Sequence, residues 1–314
     1  MNDIEEFLRW GALPDETIRR YETGERNFTG LVLRNAVINY TCFMDVNFTS
    51  ADLQGCFFKG ILVNTSFSYA NLEGAAFYSP LINCNLSNAN LREANLRGVD
   101  LTGVDLTSAD LTFADLSAAK LVGANLRNAD LTGIKTTEST IFCNTTIPDG
   151  RIETNSPKVI DAQELLKGYA DGERDFRDIF LHRVDLSGVN LQSINLCGAH
   201  LSYVNLQGAT LEGELSAEFI CCDMTDIQLI CASPDYGNQP CFTCCDLRRA
   251  KMVGGIDPFG AIGNNFQGSN VHFRCDDGDV FIQNTIWFDG EFIAGPAWSM
   301  EYWRGIRDTD LSNF

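Results

Sequence analysis

The sequence predicts an all-β fold, a stack of square β-coils, and three observations predict it. From Leu86 to Leu131 ten leucines fall five residues apart without a break. Two positions before each stands a small residue: Cys84, Val99, Val104 or one of seven alanines. Between the two lies a polar residue, mostly Asn or Asp. A period of five suits neither a helix, at ~3.6, nor a flat strand, at ~2.0.

The geometry follows from strand alternation. Residues two apart on an extended segment point the same way, so the small residue and the leucine share one side and the polar residue faces the other. The remaining two residues must turn the chain, because a continued strand would keep alternating. Four bends close a coil of about twenty residues, and coils stack at the strand spacing of ~4.8 Å. The leucines then fill the tube, and the small residues stand where a second large group would not fit.

The elements follow in chain order. Residues 1–27 are read as an N-terminal cap and 28–142 as a first array. In it Phe28, Leu33, Ile38, Phe43, Phe48 and Leu53 hold one phase, and Leu62, Phe67, Leu72 and Phe77 another, one residue short. A second slip precedes Leu86. Each slip reads as a shortened turn, and the phenylalanines predict wider coils there. The stretch 143–158, "CNTTIPDGRIETNSPK", is rich in Pro, Gly, Asn and Thr and reads as a linker.

Residues 159–175 are read as a second cap. Asp161 can N-cap a helix with Glu164 three residues on. Ala162, Leu165, Leu166 and Tyr169 fall on one helical face, and Gly172 can end the helix. "YETGERNF" at Tyr21–Phe28 is repeated as "YADGERDF" at Tyr169–Phe176, so a cap and first coil occur twice. The second array, 176–275, runs through Phe176, Leu181, Leu186, Leu191, Leu196, Leu201, Leu206 and Leu211 to Phe219, Met224 and Leu229. It is interrupted at 230–242 and 253–263, resuming at Leu247 and Met252, with Phe266 and Val271 able to continue it. Residues 276–314 are read as a C-terminal cap or dimer contact, since bare strand edges invite stacking.

"ANLREANLRGVDLTGVDLTSADLTFADLSAAKLVGANLRNADL" resembles the pentapeptide-repeat family, whose consensus is A(D/N)LXX. The resemblance covers roughly 21–141 and 169–252, and the doubled cap and array are similar to a cyanobacterial-type tandem arrangement. It implies a right-handed quadrilateral β-helix. It also implies a function class, because members of the quinolone-resistance type bind DNA gyrase by imitating duplex DNA.

Composition bounds the function further. The 314 residues are 45% apolar with a formal net charge of −19. That charge speaks against direct binding of nucleic acid or an anionic membrane. No apolar run is long enough to span a bilayer, and the start "MNDIEEFLRWG" lacks an apolar signal core, so the expected address is the cytoplasm. The twelve cysteines are scattered through the chain, unlike a small disulfide scaffold.

No catalytic, cofactor-binding or metal-ligating set is predicted. Cys221, Cys222, Cys231, Cys241, Cys244, Cys245 and Cys275 cluster, yet lack paired zinc-ligand spacing. Cys84, Cys222 and Cys245 occupy the small inward position, where cysteine acts as a hydrophobe. His182 and His200 are expected on the outer surface, on different faces. Asp100, Asp105, Asp110 and Asp115 should point out from the four faces of one coil, with Asp130 above Asp110 and with Lys120 and Lys135 above Asp100 and Asp115.

The expected function is therefore a non-catalytic scaffold for an unidentified protein partner, as a monomer or a homodimer through an array end. The alternative is gyrase mimicry. Residues 28–141 carry ten acids and seven bases, whereas a mimic needs continuous acidic stripes. Tyr236, Phe259, Trp298 and Trp303, in the interruptions and the tail, are the expected partner contacts.

Overall fold

The computed structural model describes residues 15–38, 43–155, 158–231, 240–253 and 263–269, and short strands at 281–282, 285–286, 292–293 and 297–298. It is a right-handed quadrilateral β-helix built of parallel strands. The chain divides into two compact units, Met1–Pro157 and Lys158–Phe314, each with its own apolar core.

In the first unit, helix α1 (Asp15–Glu22) precedes a stack whose registers can be read up one column: Asn27, Asn47, Ser66, Asn85, Asp105, Asn125, Thr146. Successive members are 20, 19, 19, 20, 20 and 21 residues apart. Inside, Leu86, Leu91, Leu96, Leu101, Leu106 and Leu111 are fully buried, each with a buried small residue two before it. Corners close by a backbone bond such as Ala51 N to Phe48 O, 3.0 Å. The second residue of these turns holds a left-handed backbone, as at Ser50 (φ 58°) and Gly103 (φ 68°), the conformation that a type II turn demands.

The slips sit at one corner of two successive coils. Phe58 and Leu62 are separated by four residues, as are Phe77 and Leu81, and these pairs stack directly. The Ser79 hydroxyl joins the two shortened corners by donating to the Lys59 carbonyl at 2.7 Å. Phe28, Phe48 and Phe67 stack ring on ring at 5.6 and 5.4 Å, and Phe58 stacks on Phe77 at 4.6 Å. The core positions Phe58 and Leu81 escaped the five-residue pattern because each borders a four-residue step.

The stretch read as a linker begins as a further rung. Ile141–Cys143 pairs in parallel with Lys120–Val122, and Thr146 bridges Asn125. Thr145 takes the small inward position and is fully buried, its hydroxyl bonded to the Leu121 carbonyl. A threonine there hides the repeat from sequence. Only then does the chain leave the stack, in an antiparallel pairing of Ile152–Glu153 with Thr145–Thr146.

In the second unit, helix α2 (Ala162–Ala170) starts at Asp161 with a full capping box to Glu164. Leu165 is buried in the core with Phe176 and Leu181, while Leu166 is exposed, off the face expected of it. Gly172 follows with φ 97°. The stack again rises through one column: Asp185, Asn205, Asp223, Asp246, Asn265, Ile286. The steps are 20, 18, 23, 19 and 21 residues.

The 18-residue coil carries an irregularity in which the register shifts between Leu191 and Ile194 against the strand Thr210–Glu214. Gly213 there has φ 143°, and any Cβ would collide with the Ile194 backbone. Only glycine fits such a position without strain. Phe242, absent from the sequence series, is a core residue stacked 5.2 Å above Phe219. Phe266 is fully buried; Val271 lies outside the described residues. Beyond it the described strands pair antiparallel, Thr285–Ile286 with Phe292–Ile293 and Phe281–Ile282 with Ala297–Trp298.

Candidate interaction surface

The outward polar position builds the turns. Asp105 accepts from the Thr107 backbone N–H at 3.0 Å and from its hydroxyl at 2.5 Å. Asn85, Asn90, Asn95 and Asn125 accept the same backbone bond from residues two on. Asn and Asp stabilise turns through this local bond, which explains why the repeat places them there with Thr or Ser following. Between coils, Asn71 donates to Asp52 and Asn90 to Asn71, both at 3.1 Å, forming a side-chain ladder up one face.

The charges interleave. Asp130 stands above Asp110, Lys120 above Asp100 and Lys135 above Asp115. Arg34 reaches Asp52, and Arg92 lies 3.6 Å from Asp110. Burial raises the Asp110 carboxyl, but bonds from Thr112 together with Arg92 outweigh it and leave the group below the usual range. In the bridged columns of the described residues, acids follow one another at most twice, at Asp110–Asp130 and Asp223–Asp246.

The histidines are neither on different faces nor on the surface. His182 and His200 lie on neighbouring parallel strands, His182 opposite Ser202 and His200 opposite Phe180, because Leu181 and Leu201 are twenty residues apart and stack. Both side chains are buried. His182 Nδ1 is 2.8 Å from the Ser202 hydroxyl, and His200 Nδ1 is 2.9 Å from Glu218 Oε2. Burial, then Arg183 and His200, lowers His182 to about 4. Cys84, Cys222 and Cys245 are buried at the small inward position, their thiols donating to backbone carbonyls.

Of the expected partner contacts, Tyr236, Phe259 and Trp303 lie outside the described residues. Trp298 belongs to a strand whose backbone pairs with Phe281. The described ends of the two interruptions carry information that the sequence alone did not. Leu229 and Ile230 are in register with Met252 and Val253. Ile230 and Val253, which stand at the edges of the stretches 232–239 and 254–262 in sequence, therefore lie on the same side of the unit, one coil apart. Val253 is an exposed apolar residue. No helix among the described residues is long and apolar enough to cross a membrane.

The sequence profile of the pentapeptide repeats matches eight copies, over 27–63, 41–79, 81–107, 109–133 and 181–213. Among solved structures, the chain is 30% identical to alr5209, a pentapeptide repeat protein from Nostoc PCC 7120, over 42% of this chain and 85% of that one, with a TM-score of 0.18. It is 24% identical to HetL of Nostoc sp. strain PCC 7120, a pentapeptide repeat protein involved in heterocyst differentiation regulation, over 89% and 98% of the chains, with a TM-score of 0.30. QnrB1, a plasmid-mediated fluoroquinolone resistance protein, is 18% identical over 78% of this chain and 93% of its own, with a TM-score of 0.19. Superposition at these scores is poor, so the weight falls on the repeats themselves. A comparison with curated proteins gives no match. With its buried small–Leu pairs, outward turn-forming Asn and Asp, and five-residue corners, the chain belongs to the pentapeptide-repeat family.

Proposed function

We propose that the protein is a non-catalytic scaffold that offers a protein partner one side of its second unit. The carrying observation is the register of Leu229 and Ile230 with Met252 and Val253, after which the repeat is interrupted in sequence at 232–239 and at 254–262. Tyr236 and Phe259 belong to those segments, and aromatic side chains on loops held by a rigid support are common binding anchors. On the regular coils, by contrast, the outward Asn and Asp are engaged in their own turns. Helices α1 and α2 are read as covers for the β-helix ends, each placed just before a first coil.

The test is affinity capture from the native host with the full chain. A specific partner should be retained by wild type and lost with Tyr236→Ala/Phe259→Ala at unchanged circular dichroism. Retention by the double variant, with loss on altering the regular face at Arg92 and Asp110, would move the contact to the first unit.

The second reading is gyrase mimicry, favoured by the net charge of −19. The interleaved cations and the short acidic runs weigh against it, because a DNA-like field needs unbroken lines of negative charge.

A further inference from the structure

We propose that Cys221 and Cys244 form a redox-reversible pair that a peroxide converts to a disulfide bridging two consecutive coils. The register brackets them on both sides. Ile220 is partnered with Thr243, Asp223 bridges Asp246, and Cys221 N donates to Thr243 O at 2.9 Å. The two cysteines thus stand one strand spacing apart, ~4.8 Å between Cα atoms, within the ~4.4–6.8 Å that a disulfide spans. They share one turn conformation, with φ of 52° and 56°, so their Cα–Cβ bonds run alongside each other. The two Cβ atoms need draw in by only a few tenths of an ångström from ~4.8 Å to reach the ~3.5–4.5 Å of a disulfide. Both are partly exposed.

The neighbouring pair supplies the contrast. Cys222 and Cys245 are also one coil apart, but they face the core and are buried, each thiol donating to a carbonyl at 3.3 Å. Burial raises Cys245 well above the ordinary thiol range, and burial pushes Cys231 up to about 11. Cys221 differs. A hydrogen bond from the Cys244 thiol lowers it, against burial, with help from Tyr203. Tyr203 lies one coil below, its backbone N–H donating to the Ile220 carbonyl at 2.9 Å. Burial, then Cys221, raises its hydroxyl above the ordinary phenol range. Thiolate character and access decide which cysteines react.

The chemistry balances with hydrogen peroxide as the oxidant. The Cys221 thiolate attacks one peroxide oxygen; an S–O bond forms, the O–O bond breaks and hydroxide leaves. Cys244 then attacks the Cys221 sulfur; the S–S bond forms, the S–O bond breaks and a second hydroxide leaves. The thiol protons convert both hydroxides to water, and two electrons pass from the sulfurs to the peroxide. The bond would close the 23-residue step between these coils, which contains segment 232–239, and so fasten the base of that segment.

The test uses the reduced full chain, exposed to hydrogen peroxide, blocked with N-ethylmaleimide and cleaved after Asp and Glu. The expected product joins the peptides 219–223 and 236–246 and is released by dithiothreitol. It should persist in C222A/C245A, since alanine is the usual residue at that inward position, and in C241S. It should vanish in C221A and in C244A. In unoxidised wild type, iodoacetamide at pH 7 should label Cys221 at least about tenfold faster than Cys231. A cross-link that requires Cys222, Cys241 or Cys245, or oxidation of Cys221 to sulfinic acid with Cys244 still a thiol, would overturn the proposal. So would equal labelling rates.

Discussion

The guanidinium carbon of Arg174 lies 3.9 Å from the centre of the Tyr169 ring, and its Nη1 donates to the Tyr169 carbonyl at 2.8 Å. Arg26 and Tyr21 repeat the arrangement at 4.0 and 2.7 Å. In both copies the tyrosine hydroxyl accepts a backbone N–H from a residue 23 positions on, Met44 or Gln192. The duplicated eight residues thus encode one joint, tying a helix end to the coil it precedes. Tyr169→Phe should cost about 0.5–1.5 kcal/mol and Arg174→Ala a further ~0.5–1 kcal/mol, read by urea unfolding. Unchanged midpoints in both would show the joint to be incidental.

Leu111→Ala should cost about 2–5 kcal/mol and Leu111→Asp considerably more, because Leu111 is fully buried. Thr112, the residue after it, is buried and bonded to Asp110. Thr112→Lys should therefore destabilise. Thr132, the exposed residue one coil above, should accept lysine within ~0.5 kcal/mol. Thermal melts of the four variants check the order.

The repeat was legible because one side chain in five must fill the tube and one must be small. What hid from sequence was whatever met those needs with other residues. Thr145 replaces alanine, Phe242 falls inside the stretch read as an interruption, and Phe58 and Leu81 border shortened corners. The histidines were misplaced for a different reason: alternation says which way a side chain points, not what lies against it. The proposed contact residues Tyr236 and Phe259 fall where the repeat stops, and there periodicity carries no information.

Limited trypsinolysis should cut first after Arg151 or Lys158, giving two fragments that each keep β-rich circular dichroism. The window is narrower than the whole stretch from 143, because Cys143 to Thr146 are paired into the first stack. A first cut elsewhere, or one fragment unfolding, would contradict two self-sufficient units.

Stability should fall with acid in two stages. His182 is lowered from 6.5 to about 4, so between those values the unfolded chain binds a proton that the folded chain refuses. That costs up to about 3 kcal/mol as pH drops through the window. Below it, Asp52, held low by Arg34, and Asp175, held at about 2 by Arg177, have folded values beneath their unfolded ones. Their contribution is complete above about pH 4 and disappears as pH falls toward 2. Melting temperature against pH should show both stages, and His182→Gln should remove only the first.

The most direct test of the scaffold reading is DNA supercoiling by gyrase in the presence of purified protein at several salt concentrations. Arg34 on Asp52, Arg92 near Asp110 and the alternation of Asp100 with Lys120 leave no continuous acidic stripe on the described coils. Little or no inhibition is predicted, for the full chain and for residues 1–158 alike. Strong inhibition by 1–158 alone, weakening steeply with salt as charge pairs are screened, would contradict the account and put the function on the regular coils.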